Sequence, residues 1–349
     1  MLLARKVENL LAESDEYAAT YFTEHSTKMN FQLQPGVKFA CVAFEDVAID
    51  HSLSKPLSLG EGLWTFPEHP FDLNHGWRES IGNIIARQID RCNFFLLVVK
   101  ASSRPEILDD ENENLRKQLN RLVYGLLLQG IPKHGDGFVL TGARASEETI
   151  IREFSEMQDC FDSNPPDRVK FSESTCRMAK SYAEGFRDIE NSIDYKRVRR
   201  GMDTLICGIR EESLQERIHN YVRSLEALVM PKIGKSQGQF IHRCQTFALA
   251  SPQARDILED CYRIRSAVEH MNPFEDALSK YPSDGQQLVA FQRLRQIEQL
   301  AFSVYMKLTT SKSHALLFET DTSIDAFWSR NDDERRSEWS SPIDITVIV

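Results

Sequence analysis

Tyr262-Arg263-Ile264-Arg265-Ser266-Ala267-Val268-Glu269-His270 reads as one apolar, core-packed helix that sets an arginine and a histidine five positions apart. Arginine is a permanent cation shaped for phosphate oxygens, and histidine titrates near neutrality, so it moves protons at physiological pH. Cleavage of RNA through its 2′-hydroxyl draws on both properties. The same spacing has an ordinary reading. Five residues of α-helix turn about 500°, which leaves Arg265 and His270 roughly 140° apart, whereas Arg265 and Glu269 are neighbours able to form a surface ion pair.

Working outward, the region from about Ser172 reads as almost wholly helical. Helices are expected over 173–192, 194–210, 212–230, 237–250, 252–271 and 284–309, with breakers at Pro231, Gly234, Pro252, Pro273, Pro282 and Gly285. Short connections imply antiparallel neighbours packed as a bundle. After Thr310 the periodicity fades into a partly mobile tail, with 343–349 able to add an edge strand.

The first half mixes elements. A helix over 1–14, a strand over 37–44, a loop-rich stretch over 52–73, a helix over 78–92 and a buried strand over 93–99 come in order. A helix from Asp110 to Gly130 follows, its acidic first turn suited to the helix dipole. His134-Gly135-Asp136-Gly137 reads as a turn into a strand, 149–154 as another strand and Asn164-Pro165-Pro166-Asp167 as a loop. Trp64 and Trp77, with His69 and His75 between them, either anchor this stretch against the core or hint at a sensing surface. The fold class expected is α+β, with a mixed α/β domain over 1–170, a helical domain over 171–310 and a tail over 311–349.

Composition narrows the chemistry. With 349 residues, 41% hydrophobic and 27% charged, the chain has the make-up of a globular protein large enough for two modest domains. No apolar run reaches membrane-span length, and Leu2-Leu3 is followed by Arg5, Lys6 and Glu8 rather than a signal peptide, so the expected location is cytoplasmic, without a membrane partner. Seven scattered cysteines without a CxxC pair, and nine dispersed histidines without HExxH, speak for no metal site and no cofactor. The net charge of −10 is uneven: residues 194–310 hold 17 Lys/Arg against 14 Asp/Glu, and the remainder 25 against 38. A polyanion such as RNA therefore fits the helical half better. Its densest basic run, Lys196, Arg197, Arg199 and Arg200, reads as a solvated helical face or as a guide for RNA, and Arg223 lies on the following helix, either as an RNA contact or as an ion-pair partner of Glu226.

The order of elements around the opening stretch carries a resemblance. A helix with Glu216-Arg217-Ile218 and Leu225-Glu226-Ala227-Leu228 comes first, Phe240-Ile241-His242-Arg243-Cys244 begins another, and Leu258 to Ser266 leads to His270. This resembles the Apea-like branch of the HEPN superfamily over about residues 195–310, a third of the chain. The resemblance implies a helical bundle whose RxxxxH signature falls on Arg265 and His270. It further implies that two copies form one composite, metal-independent ribonuclease site at a homodimer interface, in a protein of prokaryotic defence or toxin type. The domain over 1–170 would then answer to a regulatory partner or ligand. Many active members carry a polar amide or acid after the arginine, where this chain has Ser266, and many Apea-like sequences end the motif Val-His-Gly, where this one has Glu269-His270-Met271. Inactive members serve in dimerisation or in binding RNA or nucleotides, and that is the alternative function.

Overall fold

The computed structural model describes residues 22–26, 29–45, 47–71, 75–130, 137–145, 149–156 and 170–348. The helix expected over 1–14 and the loop at 164–167 lie outside them, as does all of the turn at 134–137 except Gly137. The chain divides into a unit ending at Lys180 and a second unit, Ser181–Val349. It is an α+β protein, with an antiparallel sheet near the N-terminus followed by helices.

The first unit holds a hairpin of β1 (Phe22–Ser26) and β2 (Met29–Leu33), then β3 (Val37–Glu45), β4 (Leu57–Gly60) and β5 (Leu63–Phe66). Helices α1 (His75–Ile81) and α2 (Asn83–Arg91) lead to β6 (Cys92–Ala101), α3 (Asp110–Leu127), β7 (Gly137–Arg144) and β8 (Thr149–Glu156). Six strands pair in the order β4-β5-β6-β3-β7-β8. The two longest apolar runs thus lie side by side, Cys41 opposite Leu97 and Val42 opposite Leu96. Both faces are covered, which is why these strands read as continuous apolar runs and not as alternations. On one face Phe39, Cys41, Phe95 and Leu97 join Phe71 and Ile89 in a core against which Trp77, Ile81 and Ile85 pack. On the other, α3 lies on β3 and β6, and Phe44, Phe94 and Phe171 form a ring cluster with centroids 4.4 to 6.1 Å apart.

The helix expected over 78–92 is interrupted. Gly82 adopts φ +83°, a conformation open to glycine, and separates α1 from α2. The acidic start of α3 does more than complement the helix dipole. Asp109 accepts from the Glu111 amide as N-cap, and with Glu111 it receives the ammonium of the wholly buried Lys38 at 2.7 and 3.3 Å. The Ser102 hydroxyl, then Lys100 and Lys38, hold the Glu111 carboxyl down at about 2.

Trp64 is buried in this core and the half-buried Trp77 and His69 pack against it, as anchoring residues do; His75 is exposed beside Glu79. The His69 ring lies tilted against Phe95 at 4.6 Å and meets Phe71 edge-on at 5.6 Å, and burial lowers its pKa. A base whose folded pKa lies below its unfolded value gives full stability above the unfolded pKa of about 6.5 and loses it as pH falls from there through the folded pKa. His69→Phe is therefore expected to flatten the fall in urea midpoint of this unit between pH 7 and pH 5. An unchanged pH slope would place the acid sensitivity elsewhere.

The boundary between the units falls within α4 (Glu173–Asn191), which begins close to the expected position. Beyond it come α5 (Lys196–Arg210), α6 (Leu214–Val229), α7 (Ser236–Cys244), α8 (Pro252–Glu269), the short α9 (Phe274–Ala277) and α10 (Gln286–Thr310). The helix expected over 237–250 stops at Cys244, since Thr246, Phe247 and Ala248 turn back with amides on Arg243 and Cys244 carbonyls. Helix α6 is the hub, packing against α5, α7, α8 and α10. Its buried Ile218, Tyr221, Val222, Leu225, Leu228 and Val229 recur every three to four residues.

The reading of residues 311–349 as a fading, partly mobile tail is corrected. Helices α11 (Lys312–Leu316), α12 (Asp321–Trp328) and α13 (Asp332–Trp339) follow, the last two opened by capping boxes at Thr320 and Asn331. They are too short for helical periodicity to register, but Phe318, Trp328 and Trp339 bury themselves around Phe247, and Phe327 packs on Phe318 and Trp328. In place of the edge strand expected over 343–349, Ile343 makes a single parallel bridge to Ala248, and 344–348 form no strand; Val349 is outside the described residues. Among the described residues no helix is long and apolar enough to cross a membrane.

Candidate functional site

Ser251 opens α8 by accepting from the Ala254 amide, with Pro252 in the first helical position. The far end closes as a Schellman turn: the Asn272 amide reaches the Ala267 carbonyl at 2.8 Å and the Met271 amide reaches Val268 at 3.0 Å. His270 is the C-cap, and Met271 takes φ +55°. That left-handed position favours glycine, so the departure from Val-His-Gly puts a methionine in the conformation a glycine would hold. Both side chains are pushed outward. His270 is exposed, and Met271 is almost fully so.

Arg265 lies one turn back. Its Nη2 donates to Glu226 of α6 at 3.0 Å and sits 3.4 Å from Glu269, while its guanidinium carbon stands 5.6 Å from the Tyr262 ring centre. Arg223 of α6 reaches the same Glu269 oxygen at 3.4 Å. The result is a ladder of alternating sign across two antiparallel helices, Glu226, Arg265, Glu269 and Arg223, with no net charge. The ordinary reading of the spacing, an Arg265 to Glu269 pair, is thus present, but it is the weaker of two contacts. Arg223 pairs with Glu269 rather than with Glu226.

Among the described residues no hydrogen bond or ion pair joins Arg265 to His270. The helical step separates them within one copy, as the spacing requires. A histidine the sequence reading passed over, His219, stands at the same seam: its Nδ1 lies 3.4 Å from the Arg265 carbonyl. It precedes Arg223 by four residues and Glu226 by seven, so helical periodicity alone puts the three on one face. Tyr262 is buried and Ser266 half-buried. Burial, then the nearby Glu226, raises the Tyr262 pKa and keeps its hydroxyl protonated.

The basic run at the start of α5 is partly engaged. Arg197 binds Asp321 of α12 at 2.7 Å and Arg199 donates to the Glu190 carbonyl at 3.1 Å. Lys196 and Arg200 are exposed. Two of the four cations of this run therefore tie neighbouring helices together, a role that a charge count in the sequence does not reveal.

Elsewhere in the second unit, buried charge serves the fold. Asp260 of α8, with no exposed surface, takes Lys280 at 2.7 Å, Arg293 at 3.0 Å and the Tyr281 hydroxyl at 2.8 Å. Six described cysteines are free thiols, with burial pushing Cys261 up to about 12 and Cys41 and Cys244 well above the usual range. Among the described residues no group of three or more His, Cys, Asp or Glu is placed to hold a metal ion. No family model, curated protein or solved structure matches this chain, so its assignment rests on the site just described.

Proposed function

We propose that residues 195–310 act as a metal-independent endoribonuclease of HEPN type, with Arg265 and His270 meeting across a homodimer. The observation that supports this most is the exposure of His270 at the helix end, beside a seam holding two arginines. A histidine kept for packing would be sealed in the bundle; this one is open to a substrate or a second copy.

In this reading His270 accepts the proton of an RNA 2′-hydroxyl as its oxygen attacks the adjacent phosphorus, and a second His270 protonates the departing 5′-oxygen. Arg265 balances the charge that grows on the phosphoryl oxygens. The products are a 2′,3′-cyclic phosphate and a 5′-hydroxyl. Purified His270→Ala and Arg265→Ala are each expected to cleave RNA about 10²- to 10⁴-fold more slowly than the parent chain. Parent activity should persist in EDTA. Full activity in both variants would sink the enzymatic assignment.

A second reading, a non-cleaving HEPN module for dimerisation or for binding RNA or nucleotides, is favoured by the two carboxylates on Arg265. An intact chain that binds RNA without cutting it would decide for that module.

A further inference from the structure

We propose that Arg223 and Arg265 form a two-arginine seat for a backbone phosphodiester, and that Glu269 is the displaceable gate closing it. This rests on the ribonucleic-acid reading above, gives Arg223 a defined place beside Arg265 and adds a control element.

The two carboxylates on Arg265 are not equivalent. Glu226 is 3.0 Å away, with side-chain exposures of 17% for the arginine and 13% for the glutamate, so this pair is shielded and short. Glu269 stands 3.4 Å from each arginine and is 36% exposed, against 47% for Arg223. Exposed pairs of that length contribute little and weaken further in salt. Glu269 is also the last residue of α8, where the negative end of the helix dipole opposes a carboxylate. The fold thus holds Glu226 firmly and Glu269 loosely. An arriving phosphodiester meets two guanidinium groups that already converge on one anionic oxygen, and replacing Glu269 there costs only two weak contacts. Glu226 stays, fixing the Arg265 rotamer, and is a positioning residue.

The geometry also gives the gate a sign. With Glu269 in place the ladder is neutral; with Glu269 displaced it carries one net positive charge, produced only when an anion arrives. Weak or diffuse anions are refused, and a phosphodiester presenting two oxygens to two forks is accepted.

The test measures binding apart from cleavage, by fluorescence anisotropy of the full-length chain with a labelled 2′-O-methyl oligoribonucleotide, which lacks the attacking hydroxyl. Glu269→Gln, and Glu269→Ala as a second variant, should tighten binding roughly 3- to 10-fold and steepen its salt dependence by about one phosphate contact. Arg223→Ala should weaken binding by a similar factor, and in the Glu269→Gln background it should cancel the gain. Unchanged or weaker binding in both Glu269 variants, a gain that survives loss of Arg223, or no binding by any variant overturns the proposal. Tightening by Glu269→Gln together with full cleavage by both His270→Ala and Arg265→Ala would leave the gate standing and sink the enzymatic assignment.

Discussion

Glu298→Ala is expected to lower the stability of the helical unit by about 3–5 kcal/mol, because it removes the carboxylate paired with a buried guanidinium. Arg217 on α6 and Glu298 on α10 meet at 2.7 Å with side-chain exposures of 8% and 5%, and the Tyr221 hydroxyl donates to the same carboxylate oxygen at 2.8 Å. Burial, then the adjacent carboxylate, drives the Tyr221 pKa well above its usual value, so that hydroxyl stays a donor. Removing the carboxylate takes the shared anionic acceptor from both donors in the bundle core. Hydrogen exchange of α6 and α10 amides would read the loss within this unit, apart from the sheet. The pairing itself is not the source of stability: a double variant, Arg217→Met with Glu298→Met, should recover most of the loss, since apolar side chains of similar volume carry no desolvation cost. A Glu298→Ala loss under 1 kcal/mol would mean that water reaches the pair.

Trp339→Ala should cost a comparable amount, about 3–5 kcal/mol, through a large cavity in the aromatic cluster. The indole is 2% exposed; its ring centre lies 4.6 Å from Phe247, 6.1 Å from Phe318 and 5.3 Å from His314, and the Lys307 ammonium sits over its face at 4.8 Å. Lys307 also donates to the Trp339 and Ser340 carbonyls, so the variant loosens the tie between α10 and the end of α13 as well. Denaturant melts followed by near-ultraviolet dichroism would report it. Trp339→Phe should retain part of the packing and fall between the two. A loss below 1 kcal/mol for Trp339→Ala would show that α13 contributes little to the unit.

These two sites differ in how far the sequence announces them. The long helices were legible because their apolar residues repeat at 3.6 over many turns, and β3 and β6 because both faces are buried. Helices α11 to α13 escaped because eight residues or fewer give periodicity too little length; their capping boxes at Thr320 and Asn331 were the local signal. The partnership of Arg217 with Glu298 spans 81 positions and leaves no trace in any window. At the candidate site, residue type and spacing brought Arg265, His270 and Glu269 forward, and family pattern brought Glu226. What they could not give is which carboxylate holds Arg265 and where Arg223 points, because both depend on the pairing of α6 with α8. The basic run at 196–200 shows the same limit: charge density brought it forward, but not that Arg197 pairs with Asp321 and Arg199 with the Glu190 carbonyl.

The end of α6 has a consequence for how the protein is made. Met230 leaves the helix at φ +45°, and the carbonyls exposed there are taken by Arg243, on Val229 and Met230, and by the Trp328 indole, on Leu228. The last of these donors lies 100 positions further along the chain. During synthesis, which delivers the N-terminal part first, the hub helix therefore exists with its C-terminal end unsealed until α12 emerges. Such long-range closure slows folding relative to a bundle joined only by neighbouring contacts. Ribosomes stalled before Trp328 would hold a nascent bundle that is a target for chaperones and proteases.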